Sequence, residues 1–240
     1  MSHGIDILCI TAHPDDVEIG AAGTVLRHLD QGRSVGIVDL TRGELGTRGT
    51  PELRAKEAEA AARVLGVAFR EQAGLPDGFF RKDEASLRTV ITHIRRHRPR
   101  IVITNAVQDR HPDHGRGADL VAEACFLSGL RRIATEDQGR EQESWRPQAV
   151  YHLVQDRWLD PDLVVDVSPY WERKLEALRC FRSQFHDPES NEPVSPIARK
   201  DFLPFLEGRA REMGRLIWAT YGEGFTVARP PAVKDLFDLG

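Results

Sequence analysis

Four times in its first 130 residues the chain repeats one unit: a short apolar run, a turn, and an amphipathic segment of a dozen residues or more. The apolar runs are 5–11, 34–40, 67–72 and 100–105. The segments after them, 17–29, 50–65, 83–98 and 114–130, carry apolar residues at helical spacing; Leu87, Val90, Ile91 and Ile94 make one such stripe. The stretch Val35-Gly36-Ile37-Val38 is continuously apolar rather than alternating, as a strand covered on both faces should be. Strands alternating with helices predict an α/β fold: a Rossmann-like, mostly parallel sheet with helices on both faces. Two more strands are expected at 149–154 and 163–167, and helices at 170–185 and 201–219. The polar stretch 134–147 reads as a surface loop. With 240 residues, 40% of them apolar, the whole of 1–240 is expected to form a single domain.

Ligands of such sheets bind beyond the carboxyl ends of the strands, where strands one and four are often neighbours. That would bring the turn after Thr11 beside the loop after Asn105. Each holds a His-Pro-Asp tripeptide at the mouth of a helix: His13-Pro14-Asp15, then Asp16, and His111-Pro112-Asp113, then His114. His13 and Asp16, three residues apart, fall on one side of a helix mouth. With His114 they make an imidazole–carboxylate–imidazole set that suits Zn²⁺ and leaves a position for water; Fe²⁺ or Co²⁺ would also fit. Asp15 is placed to act as general base. His111 is the candidate acid and oxyanion stabiliser, with Asp113 orienting it. Any of these aspartates alone could simply cap a helix. The doubling of the pattern is what points to a site.

Other features narrow the field. A net charge of −4 gives no reason to expect nucleic acid, and the basic run 93–98 reads as a solvated helix face. Cys9, Cys125 and Cys180 contain no C-x-x-C pair and no disulfide framework; Cys9 reads as a core residue. No apolar run approaches the ~18 residues that span a bilayer, and no basic segment leads into an apolar one at the start, so a cytoplasmic protein without membrane association is expected. The histidines outside the two clusters, His3, His28, His93, His97, His152 and His186, read as surface or structural. Gly20-Ala21-Ala22-Gly23 lacks G-x-G-x-x-G spacing, which disfavours a dinucleotide module. A two-metal phosphoesterase would want more carboxylates near the site.

At Ala12-His13-Pro14-Asp15-Asp16 and His111-Pro112-Asp113-His114 the chain resembles the LmbE-like, or PIG-L, family of zinc-dependent N-acetylglucosaminyl deacetylases. The stretch 41–50, Arg54-Ala55-Lys56-Glu57, Gly74-Leu75-Pro76-Asp77-Gly78 and Tyr221-Gly222-Glu223-Gly224-Phe225 resemble its bacillithiol-biosynthesis branch, whose substrate is N-acetylglucosaminyl malate. The resemblance implies zinc ligation by His13, Asp16 and His114, Asp15 as general base, and His111 with Asp113 on the acid side. It also implies that Arg54 and Arg110 contact the substrate, since arginine pairs carboxylates such as those of malate bidentately. A small amino-sugar substrate and a trimeric or hexameric homo-oligomer are further implied.

Overall fold

The computed structural model describes residues 4–239, so His3 lies outside it. Among the described residues nine strands form: β1 (Ile7–Thr11), β2 (Val35–Asp39), β3 (Arg70–Gln72), β4 (Ile101–Thr104), β5 (Glu136–Asp137), β6 (Arg140–Glu141), β7 (Ala149–Leu153), β8 (Leu163–Asp166) and β9 (Gly222–Val227). Seven of them make one sheet in the order β3-β2-β1-β4-β7-β9-β8. The pairs β1–β2, β1–β4, β2–β3 and β4–β7 are parallel, while β9 runs antiparallel to both β7 and β8. The expected α/β architecture is therefore present, with β1 beside β4 as the switch-point argument requires.

Seven helices flank the sheet: α1 (Asp16–Gly20), α2 (Ala22–Asp30), α3 (Pro51–Leu65), α4 (Glu84–His97), α5 (Pro112–Leu127), α6 (Trp171–Arg179) and α7 (Phe202–Leu216). Alternate residues of β1 serve different layers. Leu8 and Ile10 pack with Val90, Ile91 and Ile94 of α4 and Leu120 and Val121 of α5. Ile7 and Cys9 pack with Val25 and Leu26 of α2 and Ala177 of α6. Cys9 is thus a core residue. A third apolar cluster joins α3, α6 and α7 through Ala61, Leu178, Phe181 and Leu206.

Four sequence expectations are corrected. The helix expected over 17–29 is two helices, because Ala21 leaves helical geometry at φ −143°, ψ 8°. The new N-terminus is capped from far away: the Glu223 carboxylate of β9 accepts the N–H groups of Gly23 and Thr24 at 3.0 and 2.7 Å. Gly23 also lets α2 pack closely on Val167, since a Cβ there would lie 2.6 Å from the Val167 Cβ. The third strand is only Arg70–Gln72. The stretch 134–147 contains the β5–β6 hairpin instead of being only a loop. The basic run 93–98 is not simply solvated: Arg95 is buried and donates to the carbonyls of Ser128, Leu130 and Ile133. Strand β9 is an addition, for the sequence reading placed no strand there.

Candidate active site

Thr11 ends β1, and the chain turns through Ala12–Asp15 into α1. Asn105, just past β4, holds this turn: its Oδ1 accepts the Ala12 N–H at 2.7 Å, and its Nδ2 donates to Asp16 Oδ2 at 2.9 Å. Gln155, beyond β7, donates to Asp16 Oδ1 at 3.0 Å, and the His13 N–H reaches Asp16 Oδ2 at 2.9 Å. Asp16 is therefore fixed by three donors from three strand ends. Neither Asp15 nor Asp16 makes a side-chain cap to α1.

The two distant loops converge. His114 Nε2 lies 3.1 Å from Asp16 Oδ1, and His13 Nδ1 lies 3.6 Å from Asp16 Oδ2. The rings of His13 and His114 are 5.6 Å apart. His111 joins them, with one ring nitrogen from each of His13, His111 and His114 lying within 4.8 Å of the others. The nitrogens of His13 and His114 turned away from Asp16 meet carboxylates. His114 Nδ1 contacts Asp109 at 2.5 Å; His13 Nε2 contacts Asp77 at 3.0 Å and Asp113 at 3.5 Å. Carboxylates behind histidines are how metal-binding imidazoles are oriented and kept basic. The donor set thus fits a divalent metal, with His13 Nδ1 and His114 Nε2 both facing Asp16.

The electrostatics follow from burial and crowding. Burial pushes the Asp15 carboxyl up; Arg54 opposes it, and the balance leaves it at about 6. Burial also acts on Asp16, but His114 and His13 outweigh it and hold Asp16 well below the usual carboxylate range. Against burial, hydrogen bonds to Asp113, Asp16 and Asp77 raise His13 well above its ordinary value, and Asp16 and Asp109 raise His114 to about 9. Burial, then His13 and His114, lower His111. Asp77, bound by His13 and the Leu45 N–H despite its burial, falls to about 2.

Two of the expected contacts take another form. Asp113 was expected to orient His111 through its carboxylate. Instead its backbone N–H donates to His111 Nδ1 at 3.3 Å, while the carboxylate accepts from the Gly78 N–H and Arg116 and faces His13. Backbone geometry at the start of α5 causes this, since His111 occupies the cap position. Arg54, expected at substrate, is 7% exposed; its Nε donates to the Pro14 carbonyl at 3.0 Å and its Nη2 to Asp15 Oδ2 at 2.8 Å. The glycine loop 41–50 closes over it. Gly43 has φ +64°, and a Cβ there would lie 2.7 Å from Arg54 Nη1. Arg110 remains accessible, paired with Asp156 at 3.1 Å, on a cleft that runs from Asp16 and His114 to Phe202, Phe205 and Arg209 of α7.

Asp77, Asp109, Asn105 and Gln155 were not singled out from the sequence. Asp77 lies in a stretch that carried only the family resemblance. Asp109 stands five residues before His114, the one local spacing that could have signalled it.

The family described as GlcNAc-PI de-N-acetylase (PIG-L) matches residues 8–125, which contain both histidine clusters. The diacetylchitobiose deacetylase of Thermococcus kodakarensis is 30% identical over 230 residues, covering 91% of this chain and 81% of that one. This chain belongs to the PIG-L, or LmbE-like, deacetylase family. The structure of the conserved protein TT1542 from Thermus thermophilus overlays with a TM-score of 0.86 at 32% identity, covering 97% of this chain and 98% of that one. Similarity is not confined to the bacillithiol branch of the PIG-L family. A probable N-acetyl-α-D-glucosaminyl L-malate deacetylase 2 of Bacillus anthracis is 29% identical over 195 residues, covering 75% of this chain and 81% of that one.

Proposed function

We propose that this chain is a metal-dependent amidohydrolase that removes the acetyl group from an N-acetylglucosaminide, giving acetate and a free amine. The observation that carries the reading is the meeting of His13, Asp16 and His114 beside a buried Asp15. His13, Asp16 and His114 would hold a divalent ion, with zinc the first choice and iron or cobalt compatible. Bound there, the ion would supply Lewis acidity, acidifying water and polarising a carbonyl. Asp15 takes the proton from the attacking water and passes it to the leaving nitrogen, taking the acid role that the sequence reading gave to His111. Arg54 is a positioning residue that holds Asp15 in place. His111 accepts the Asp113 N–H at Nδ1, so its neutral ring carries the proton on Nε2 and donates to the oxyanion. Asp113 and Asp77 orient His13, and Asp109 orients His114.

N-acetylglucosaminyl L-malate is the finer substrate proposal, supported by Arg110 at the cleft mouth and by the likeness to the malate deacetylase. Self-association through the C-terminal end of α7 and the turn after it is proposed with it: Leu216, Ile217 and Trp218 are all exposed, Trp218 at 84%. No helix among the described residues is long and apolar enough to cross a membrane.

Acetate release by zinc-, iron- or cobalt-loaded protein tests the reading on N-acetylglucosaminyl L-malate, N,N′-diacetylchitobiose and free N-acetylglucosamine. The malate conjugate should turn over fastest, and Arg110→Ala should remove its advantage. If metal is bound and none of the three releases acetate, the amidohydrolase reading fails.

A further inference from the structure

A second cluster of metal-ligating side chains shares no residue with the first. His93 and His97 stand four apart on α4 and so project from one helix face. Glu71 lies in the middle of β3, the edge strand beside that helix. Its Oε2 is 3.1 Å from His93 Nδ1 and 3.1 Å from His97 Nε2. One ligand atom from each of the three lies within 4.8 Å of the other two.

We propose that Glu71, His93 and His97 form a second binding site for a borderline divalent transition ion such as Zn²⁺, Ni²⁺ or Co²⁺. Two imidazoles and one carboxylate are a ligand set for such ions and not for Mg²⁺ or Ca²⁺, which favour oxygen. The ion would take the place of the imidazole protons now directed at one carboxylate oxygen. The ligands are well supported for this. His93 is buried, and the His97 ring stacks on Phe69 with centroids 4.0 Å apart and planes 21° apart. The rings of His93 and His97 are nearly parallel, at 18°.

Arg96 is the group that an ion must displace. Its Nη1 lies 3.1 Å from the same Oε2. Its Nε and Nη2, however, hold both oxygens of Asp137 at 2.8 and 2.7 Å. Arg96 can give up Glu71 and keep Asp137, so entry of the ion leaves no unpaired guanidinium. The bound ion would tie the edge strand to α4, next to the point where Arg96 fastens the β5–β6 hairpin. The cluster would bind its ion whether or not the chain is an amidohydrolase.

The test is metal stoichiometry and thermal melting of the full chain with Zn²⁺ or Ni²⁺ after equilibrium dialysis. Wild type should hold two ions per chain, and H97Q and E71Q one, with acetate release unchanged. H13A should keep one ion. A rise in Tm on adding Ni²⁺ to H13A should vanish in H13A/H97Q, and the affinity of the second ion should fall at least tenfold in E71Q. E71Q keeps the side-chain volume and so guards against H97Q failing to fold. The proposal is overturned if wild type holds one ion that H13A loses, if it holds none, or if H97Q and E71Q hold as many ions as wild type.

Discussion

Asp15 sits at φ 129°, ψ −19°, a backbone setting that L-residues with a Cβ rarely adopt. It is 3% exposed and its carboxylate meets Arg54. Strain of this kind persists only where surrounding contacts over-determine it, and the Arg54 bonds to Pro14 and Asp15 do so. Asp15→Asn should lower kcat by about 10²- to 10⁴-fold while leaving metal content intact, as single-turnover assays and metal analysis would show. The Asp15 carboxyl at about 6 must be ionised to accept a proton, so activity should rise as pH climbs through that value. Arg54 lowers that value, so Arg54→Ala should move the acid limb of the pH–rate profile upward and reduce activity most at low pH. Asp109→Asn should weaken metal affinity by about 10- to 100-fold, measured by competition with a chelating dye. That His13, Asp16 and His114 would meet could be read because each belongs to a short motif at a strand end. Asp77, Asn105 and Gln155 could not, because their task is to face a group brought from elsewhere in the chain, and no local spacing records that.

At the level of elements, the periodic signals were reliable and the long-range ones absent. The stripes of α4 and the apolar runs of β1, β2 and β4 could be read directly, since burial of those faces forms them. The break between α1 and α2 could not, because the donors it frees are satisfied by Glu223, about two hundred residues away in sequence. Strand β9 was missed for a related reason. Its Gly222-Glu223-Gly224 start lacks the apolar run of β1, β2 and β4, and Glu223 points inward to meet Lys174 Nζ at 2.7 Å. Both partners of that pair are almost fully buried, at 2% and 3% side-chain exposure. Glu223→Leu would leave the Lys174 ammonium buried without its carboxylate, bonded to the Ile19 carbonyl and over the Trp171 ring. Loss of stability of about 3–5 kcal/mol is expected in urea unfolding, as for other broken buried pairs. The basic run on α4 shows the converse error: charge on a helix was read as solvation, yet Arg95 is buried by binding three carbonyls of the segment that follows α5.

For the molecule as a whole, metal and proton would compete for the proposed centre. Imidazoles must lose their protons to ligate. The surrounding carboxylates raise His114 to about 9 and raise His13 as well, so an ion entering between them would have to displace protons. Apparent zinc affinity should therefore strengthen steadily from pH 6 to about 9, with protons released on binding, and calorimetry in buffers of different ionisation enthalpy would count them. An affinity independent of pH over that range would contradict the ligand assignment. The order of the sheet has a consequence for biosynthesis. Strand β8 pairs with β9 and, among the described residues, with no other strand, while β9 also covers the outer edge of β7. A nascent chain that has released residues 163–166 from the ribosome still has nowhere to seat them. The two strands at this end of the sheet can be added only after residue 227 has been translated, and until then the bare margin of β7 is the place where a chaperone, or a second unfinished chain, would attach.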